Sequence, residues 1–186
     1  MRRLDEHIRK MTDAPYTLAA LEVQDWNRDY SPWPAPAAFG KAEFSGGGEE
    51  TFCALRELAK LTDYGQKQYV GGYSLAGLFA LWTFYHGEGF DGAASCSGSL
   101  WYPDCHRWRE FASLPAGCRI YLSLGKKEEK TRNRLLSQVG EATRAQYEAL
   151  CRDGNVQDAV LVWNEGGHFN DPTLRMAKGF AWLLDE

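Results

Sequence analysis

A chain of 186 residues, 44% hydrophobic and 25% charged, is long enough to bury one core and has the balance of a single globular domain spanning 1–186. Its formal net charge of −4 and its scattered Lys and Arg offer no basic face, which argues against nucleic acid or an anionic membrane surface as partner. No apolar run approaches membrane-spanning length, the charged opening Met-Arg-Arg-Leu-Asp-Glu-His is no signal peptide, and the five Cys show no metal-ligand spacing, all of which points to a cytoplasmic protein with reduced thiols.

Residues 4–12 read as a short helix with Leu4, Ile8 and Met11 on one side, stopped by Pro15. Residues 17–23, Thr-Leu-Ala-Ala-Leu-Glu-Val, read as a mostly buried strand. A long loop follows from Gln24 to about Gly48, with Pro32, Pro34, Pro36 and the Gly46-Gly47-Gly48 run; such loops are usually functional or floppy, and the two Trp with the Asp25/Asn27 pair favour functional. It carries Trp26 and Trp33, and a later loop carries Trp101; aromatic side chains on loops suggest a lined pocket. Residues 49–62 have a helical period through Phe52, Leu55, Leu58 and Ala59. Gln68 to Gly72 is a strand ending on glycine. Residues 75–86 are apolar almost all round, as in a buried central helix. A strand near 92–96, a loop through Trp101 and Pro103 and a strand over 119–124 come next. An amphipathic helix over about 133–152, a last strand at 159–163 and a helix from about 172 to 184 complete the pattern. Strands alternating with helices predict an α/β fold around a mainly parallel sheet.

The motif that carries chemistry is Gly72-Tyr73-Ser74-Leu75-Ala76-Gly77, set between a strand and a hydrophobic helix as a nucleophile elbow requires. A tight turn there lifts the Ser74 hydroxyl above the sheet; Gly72 and Ala76 are small enough to permit it, and Gly77 lets the helix approach the strands. The form is G-x-S-x-x-G, with Ala76 where a glycine usually stands. The helix N-terminus adds a positive dipole end, and the Leu75 N–H is a candidate oxyanion donor.

Elbow enzymes carry serine, then acid, then histidine along the chain. Among the four His, His7 precedes Ser74, His86 ends the helix that begins there, and His106 sits in a mid-chain loop. His168, in Asn164-Glu165-Gly166-Gly167-His168-Phe169, follows the last strand. Loops after parallel strands gather at the edge where Ser74 stands, so His168 is the candidate general base. The acid belongs after the strand at 119–124, where Gly125-Lys126-Lys127-Glu128-Glu129 offers two carboxylates. Glu128 is preferred and Glu129 stays open, with Lys126, Lys127 and Lys130 near enough to keep either ionised. A metal site is disfavoured, since no second His or Cys stands at ligand spacing from His168; Cys96 lacks the elbow glycines.

From about residue 16 these segments resemble an esterase group of the α/β-hydrolase superfamily, the branch that includes esterase-D-like and enterochelin-esterase-like hydrolases. The resemblance rests on Asp25-Trp26-Asn27 with Ser31-Pro32-Trp33, the elbow, Ser97-Gly98-Ser99-Leu100-Trp101, Ser123-Leu124-Gly125-Lys126-Lys127-Glu128 and Gly167-His168-Phe169. It implies a mainly parallel sheet flanked by helices and a Ser-His-Glu triad needing no metal or organic cofactor. It also implies cleavage of a small-molecule carboxylic or thio ester through an acyl-enzyme. It puts the acid three positions after the glycine, at Glu128, and makes Tyr73, Trp26, Asn27, Trp33 and Trp101 the substrate-binding walls.

In such proteins a further strand precedes the short first helix, and its glycine-rich loop supplies a second oxyanion donor. Here the helix comes first, so the nearest candidate donor is the N–H of Asp25 or Trp26. A reduced N-terminal part implies a bare sheet edge beside residues 17–23, an invitation for a second copy to pair. Losing one oxyanion donor typically costs on the order of 10²–10³ in turnover. The alternatives to an efficient esterase are therefore a weak or inactive hydrolase-fold binding domain, or an acyltransferase using the same triad.

Overall fold

The computed structural model describes residues 1–62, 65–87, 89–108 and 112–185. After helix α1 (Arg2–Ile8) the chain has no regular structure until the short α2 (Trp26–Asp29). Strands β1 (Pro34–Ala35) and β2 (Phe44–Ser45) form a small antiparallel ribbon, and α3 (Gly48–Leu61) follows. The chain then runs through β3 (Tyr69–Tyr73), α4 (Leu75–His86), β4 (Gly92–Cys96), β5 (Cys118–Gly125), α5 (Val139–Arg152), β6 (Val156–Asn164) and α6 (Pro172–Leu184). The last four strands make one parallel sheet in the order β3-β4-β5-β6. All four carboxyl ends therefore lie along one edge, and the loops that leave them meet there.

Both central strands, Gly-Ala-Ala-Ser-Cys and Cys-Arg-Ile-Tyr-Leu-Ser-Leu-Gly, are buried at every position. That is the signature of parallel strands covered on both faces. On one face Ile120 and Leu122 pack with Leu78, Leu81 and Phe84 of α4 and Leu150 of α5. On the other, Ala94, Cys96 and Tyr121 pack with Leu183 of α6. Each buried Leu or Phe contributes about 1.5–3 kcal/mol, so the α4 layer alone is a major source of stability. Because α4 is apolar all round, it can lie only here, between the sheet and the outer α3 and its Phe52.

Three expectations are corrected. Residues 17–23 form no strand: they run between partly exposed and exposed positions with no ladder partner among the described residues. A groove of about 470 Å³ separates Leu18 and Leu21 from Val70 and Gly71 of β3, with Ala76, Phe180 and Leu184 in its walls. The helix expected from 133 begins at Val139 instead, because the Asn133 side chain accepts the N–H groups of Leu135 (3.0 Å) and Leu136 (3.2 Å) and holds a turn. The loop from Gln24 to Gly48 contains α2 and the ribbon rather than being wholly irregular. No helix among the described residues is long and apolar enough to cross a membrane.

Candidate active site

Tyr73 ends β3 and Leu75 begins α4, which leaves Ser74 alone to turn the chain, at φ 60° and ψ −125°. For a residue with a side chain, such a backbone costs about 1–3 kcal/mol and persists only when its surroundings enforce it. They do so here. The Ser74 N–H donates to the Cys96 carbonyl at 3.1 Å. The Ser74 carbonyl accepts from the N–H groups of Gly77 (3.0 Å), Leu78 (3.1 Å) and Ser99 (3.0 Å). The turn closes only over glycine at 72, where a Cβ would lie 2.3 Å from the Ala76 carbonyl oxygen. As the first residue of α4, Leu75 has an N–H with no intrahelical acceptor, at the positive end of the helix.

Above the elbow, His168 Nε2 stands 3.0 Å from Ser74 Oγ, and His168 Nδ1 stands 2.7 Å from Glu128 Oε2. The short helical turn Glu128–Lys130 tucks Glu128 inward, its side chain 4% exposed. Its other oxygen, Oε1, accepts from the Gly125 N–H (2.7 Å), the Ser97 hydroxyl (2.8 Å) and Arg175 (2.9 Å). Burial pushes the Glu128 carboxyl up, but hydrogen bonds from His168, the Gly125 N–H and Ser97 outweigh it and leave it below the ordinary glutamate value. An ionised Glu128 places the imidazole proton on Nδ1 and leaves Nε2 as an acceptor for the serine hydroxyl. Glu129 points elsewhere, pairing with Arg144 of α5 at 2.8 Å. The expected role of Lys126, Lys127 and Lys130 is also corrected. The same turn faces all three to solvent, and Lys126 pairs with Glu165.

The histidine loop is tied on itself. Gly166 has φ 86°, and the Asn170 side chain accepts the Gly167 N–H at 2.8 Å. Tyr73, expected among the substrate-binding walls, also donates its hydroxyl to the His168 carbonyl at 2.5 Å.

No protein-family model matches the sequence, and no curated protein matches it. Solved structures do match. The siderophore hydrolase EstA from Aspergillus nidulans superimposes with a TM-score of 0.66 at 20% identity, over 86% of this chain and 66% of its own. An IroE-like serine hydrolase from Shewanella oneidensis gives a TM-score of 0.68 at 14% identity, over 84% of this chain and 56% of its own. The siderophore hydrolase EstB from Aspergillus nidulans gives 0.60 at 15% identity, over 85% and 64%. The chain has the α/β-hydrolase fold. It spans 56–66% of the length of these neighbours.

Within the α/β-hydrolase fold, the residues expected to line a pocket are dispersed. Trp26 is 48% exposed and packs on Tyr30, which in turn packs on Phe79 of α4; with Tyr73 it lines the groove along β3. Trp33 is committed to packing: its Nε1 donates to the Pro103 carbonyl at 3.1 Å, and its ring meets Tyr102 and Trp108. With Trp82 and His86 it lines a cavity of about 1070 Å³ around the far end of α4, about 16 Å along the helix from the elbow at 1.5 Å per residue. Trp101 lies on Phe44 and Tyr102, and Asn27 is half-buried on α2. Among the described residues, no group of three or more His, Cys, Asp or Glu could hold a metal ion.

Arg175 was not legible as part of this site. Its only sequence signal is a charge in register with Gly179 and Leu183 on the face that α6 turns to the sheet.

Proposed function

We propose that this chain is a serine hydrolase that cleaves a carboxylic or thio ester through an acyl-enzyme. The observation that carries the reading is the unbroken line Ser74–His168–Glu128, at 3.0 and 2.7 Å, over the carboxyl edge of a parallel sheet. As Ser74 Oγ attacks the acyl carbon, His168 Nε2 takes its proton, and Glu128 stabilises the imidazolium through Nδ1–H. The proton then passes to the leaving alcohol or thiol. Water, activated by the same histidine, releases the acid. The Leu75 N–H donates to the oxyanion. Trp26, first residue of α2, is the candidate second donor, because the Asp25 N–H is already taken by Asp29 Oδ2 at 2.9 Å.

The neighbours, a serine hydrolase and two siderophore hydrolases, support this reading, and siderophore esters therefore belong in the substrate panel. A fluorophosphonate probe is expected to label the wild-type chain and leave Ser74→Ala unlabelled; equal labelling of both overturns the proposal. Turnover of p-nitrophenyl acetate is expected to disappear in His168→Ala.

One observation favours a slower variant of this function. Among the described residues no strand pairs with the outer edge of β3 beside the elbow, which leaves Leu75 as the one donor fixed by the elbow itself. In that reading acylation and deacylation are both slow, because an oxyanion forms in each step. Fluorophosphonate labelling of Ser74 together with weak p-nitrophenyl acetate turnover supports it, and fast steady-state turnover argues against it.

A further inference from the structure

Arg175 is 2% exposed, on the face of α6 that packs against the sheet. A guanidinium so placed persists only if fully met by acceptors and by a counter-charge. Its Nη1 reaches Glu128 Oε1 at 2.9 Å, Ser97 Oγ at 3.0 Å and the Tyr73 hydroxyl at 3.2 Å. Its Nη2 donates to the carbonyls of Glu165 (3.0 Å) and Gly167 (2.9 Å). One planar fork thus joins the acid after β5, the histidine loop after β6, the residue before the nucleophile on β3 and the hydroxyl after β4.

We propose that Arg175 is a positioning residue that fixes both the geometry and the charge of the Ser74–His168–Glu128 line; the proposal rests on the ester-hydrolase reading above. The geometric part follows from the two carbonyls, which both lie just before His168 in the chain and are gripped from one side while Tyr73 grips the His168 carbonyl itself. A lysine carries a point charge on a flexible stem and cannot span the two carbonyls and the carboxylate at once.

The charge part follows from what faces the guanidinium. From β3, β4 and β5 come Tyr73, Cys96 and Tyr121, and from the loops after β5 and β6 come Glu128 and, beyond it, His168. Burial pushes the two phenols up and the Cys96 thiol up to about 12, so none of these three carries charge near neutral pH. Glu165 turns its carboxylate outward to Lys126, and Lys178 of α6 turns to Asn164. Asp171, at the start of α6, meets Arg175 through the backbone, its carbonyl accepting the Arg175 main-chain N–H at 3.0 Å. Among the described residues Glu128 is the counter-charge, shared between Arg175 on Oε1 and His168 on Oε2. The fixed positive charge on one side of the carboxylate opposes the arrival of a proton on Glu128 from solvent. Glu128 thereby stays ionised, and able to hold the His168 Nδ1–H, as the medium becomes more acidic.

The test compares wild type, Arg175→Met and Arg175→Lys as full-length chains, with p-nitrophenyl acetate kinetics across pH and fluorophosphonate labelling of wild type as control. Arg175→Met is expected to move the acid limb of kcat/KM up by about one pH unit. It should also lower kcat by roughly 10- to 100-fold, with a much smaller change in KM. Arg175→Lys keeps the charge, so its acid limb is expected to stay near that of wild type while kcat falls. An Arg175→Met profile that superimposes on wild type overturns the charge role, and wild-type kcat in Arg175→Lys overturns the geometric one. If Arg175→Met does not fold, the kcat and KM of Arg175→Lys decide. An unlabelled wild type overturns the hydrolase reading itself, whereas a labelled wild type with unaffected variants overturns only the role of Arg175.

Discussion

The two sides of the elbow are built differently. On the β4–β6 side, Ser97, Gly125, Glu128, His168 and Arg175 are linked by mutually satisfied hydrogen bonds, several of them buried. On the far side of β3, residues 12–25 lie against the sheet across a largely apolar groove, with no ladder to hold them. Apolar contacts tolerate sliding, whereas a charged hydrogen-bond network has one geometry. In the proposed reaction the proton-transfer groups are therefore fixed before any ligand arrives, whereas the groove beside β3 is adaptable.

Ser74→Ala tests the fixed side most severely. It is expected to lower turnover on the order of 10⁴ or more while leaving the fold intact, as read by kinetics beside circular dichroism. Glu128→Gln comes next, with a loss on the order of 10³ in kcat.

Glu128→Gln also changes how stability depends on pH. The Glu128 carboxyl is held below its ordinary value of 4.5. Ionisation of Glu128 therefore stabilises the native state above that value, and the contribution is lost as pH falls through the folded-state pKa. The wild-type Tm is expected to drop more steeply than that of Glu128→Gln between about pH 5 and pH 3. Equal slopes would show that the carboxyl is not held down.

Gly72→Ala drives a methyl into the Ala76 carbonyl and is expected to cost about 2–3 kcal/mol in urea unfolding. Hydrogen exchange probes both sides together. Amides of Cys118–Gly125 are expected to be protected toward the global limit, and those of residues 17–23 to exchange early. Equal protection would dissolve the contrast between the two sides. The smallest effect is expected from Glu129→Gln, which loses a partly exposed pair with Arg144. Stability should change by about 1 kcal/mol or less, and kcat should stay within about two-fold of wild type.

The elements that cover the sheet were legible because their pattern is local and strong. Helix α4, strands β4 and β5 and helix α6 fall within a residue or two of their expected bounds. Residues 17–23 failed for a physical reason: Leu18, Ala19, Ala20, Leu21 and Val23 make a short apolar run of strand length, but a strand exists only when a neighbour completes its hydrogen bonds, and no local pattern reveals a neighbour. The split between Glu128 and Glu129 was open for the same reason. Which of two adjacent carboxylates faces inward is set by the turn at Glu128–Lys130 and by Arg175, which lies 47 positions further along the chain. The Tyr73 hydroxyl, too, found its partner in a backbone carbonyl, which no residue type announces.

The positive φ of Ser74 sets stability and activity against each other at one position. A glycine there would relax the turn at no steric cost, so Ser74→Gly is the substitution that should make the protein firmer while removing the proposed nucleophile. Selection for heat resistance alone, with no demand for activity, would drift toward that residue.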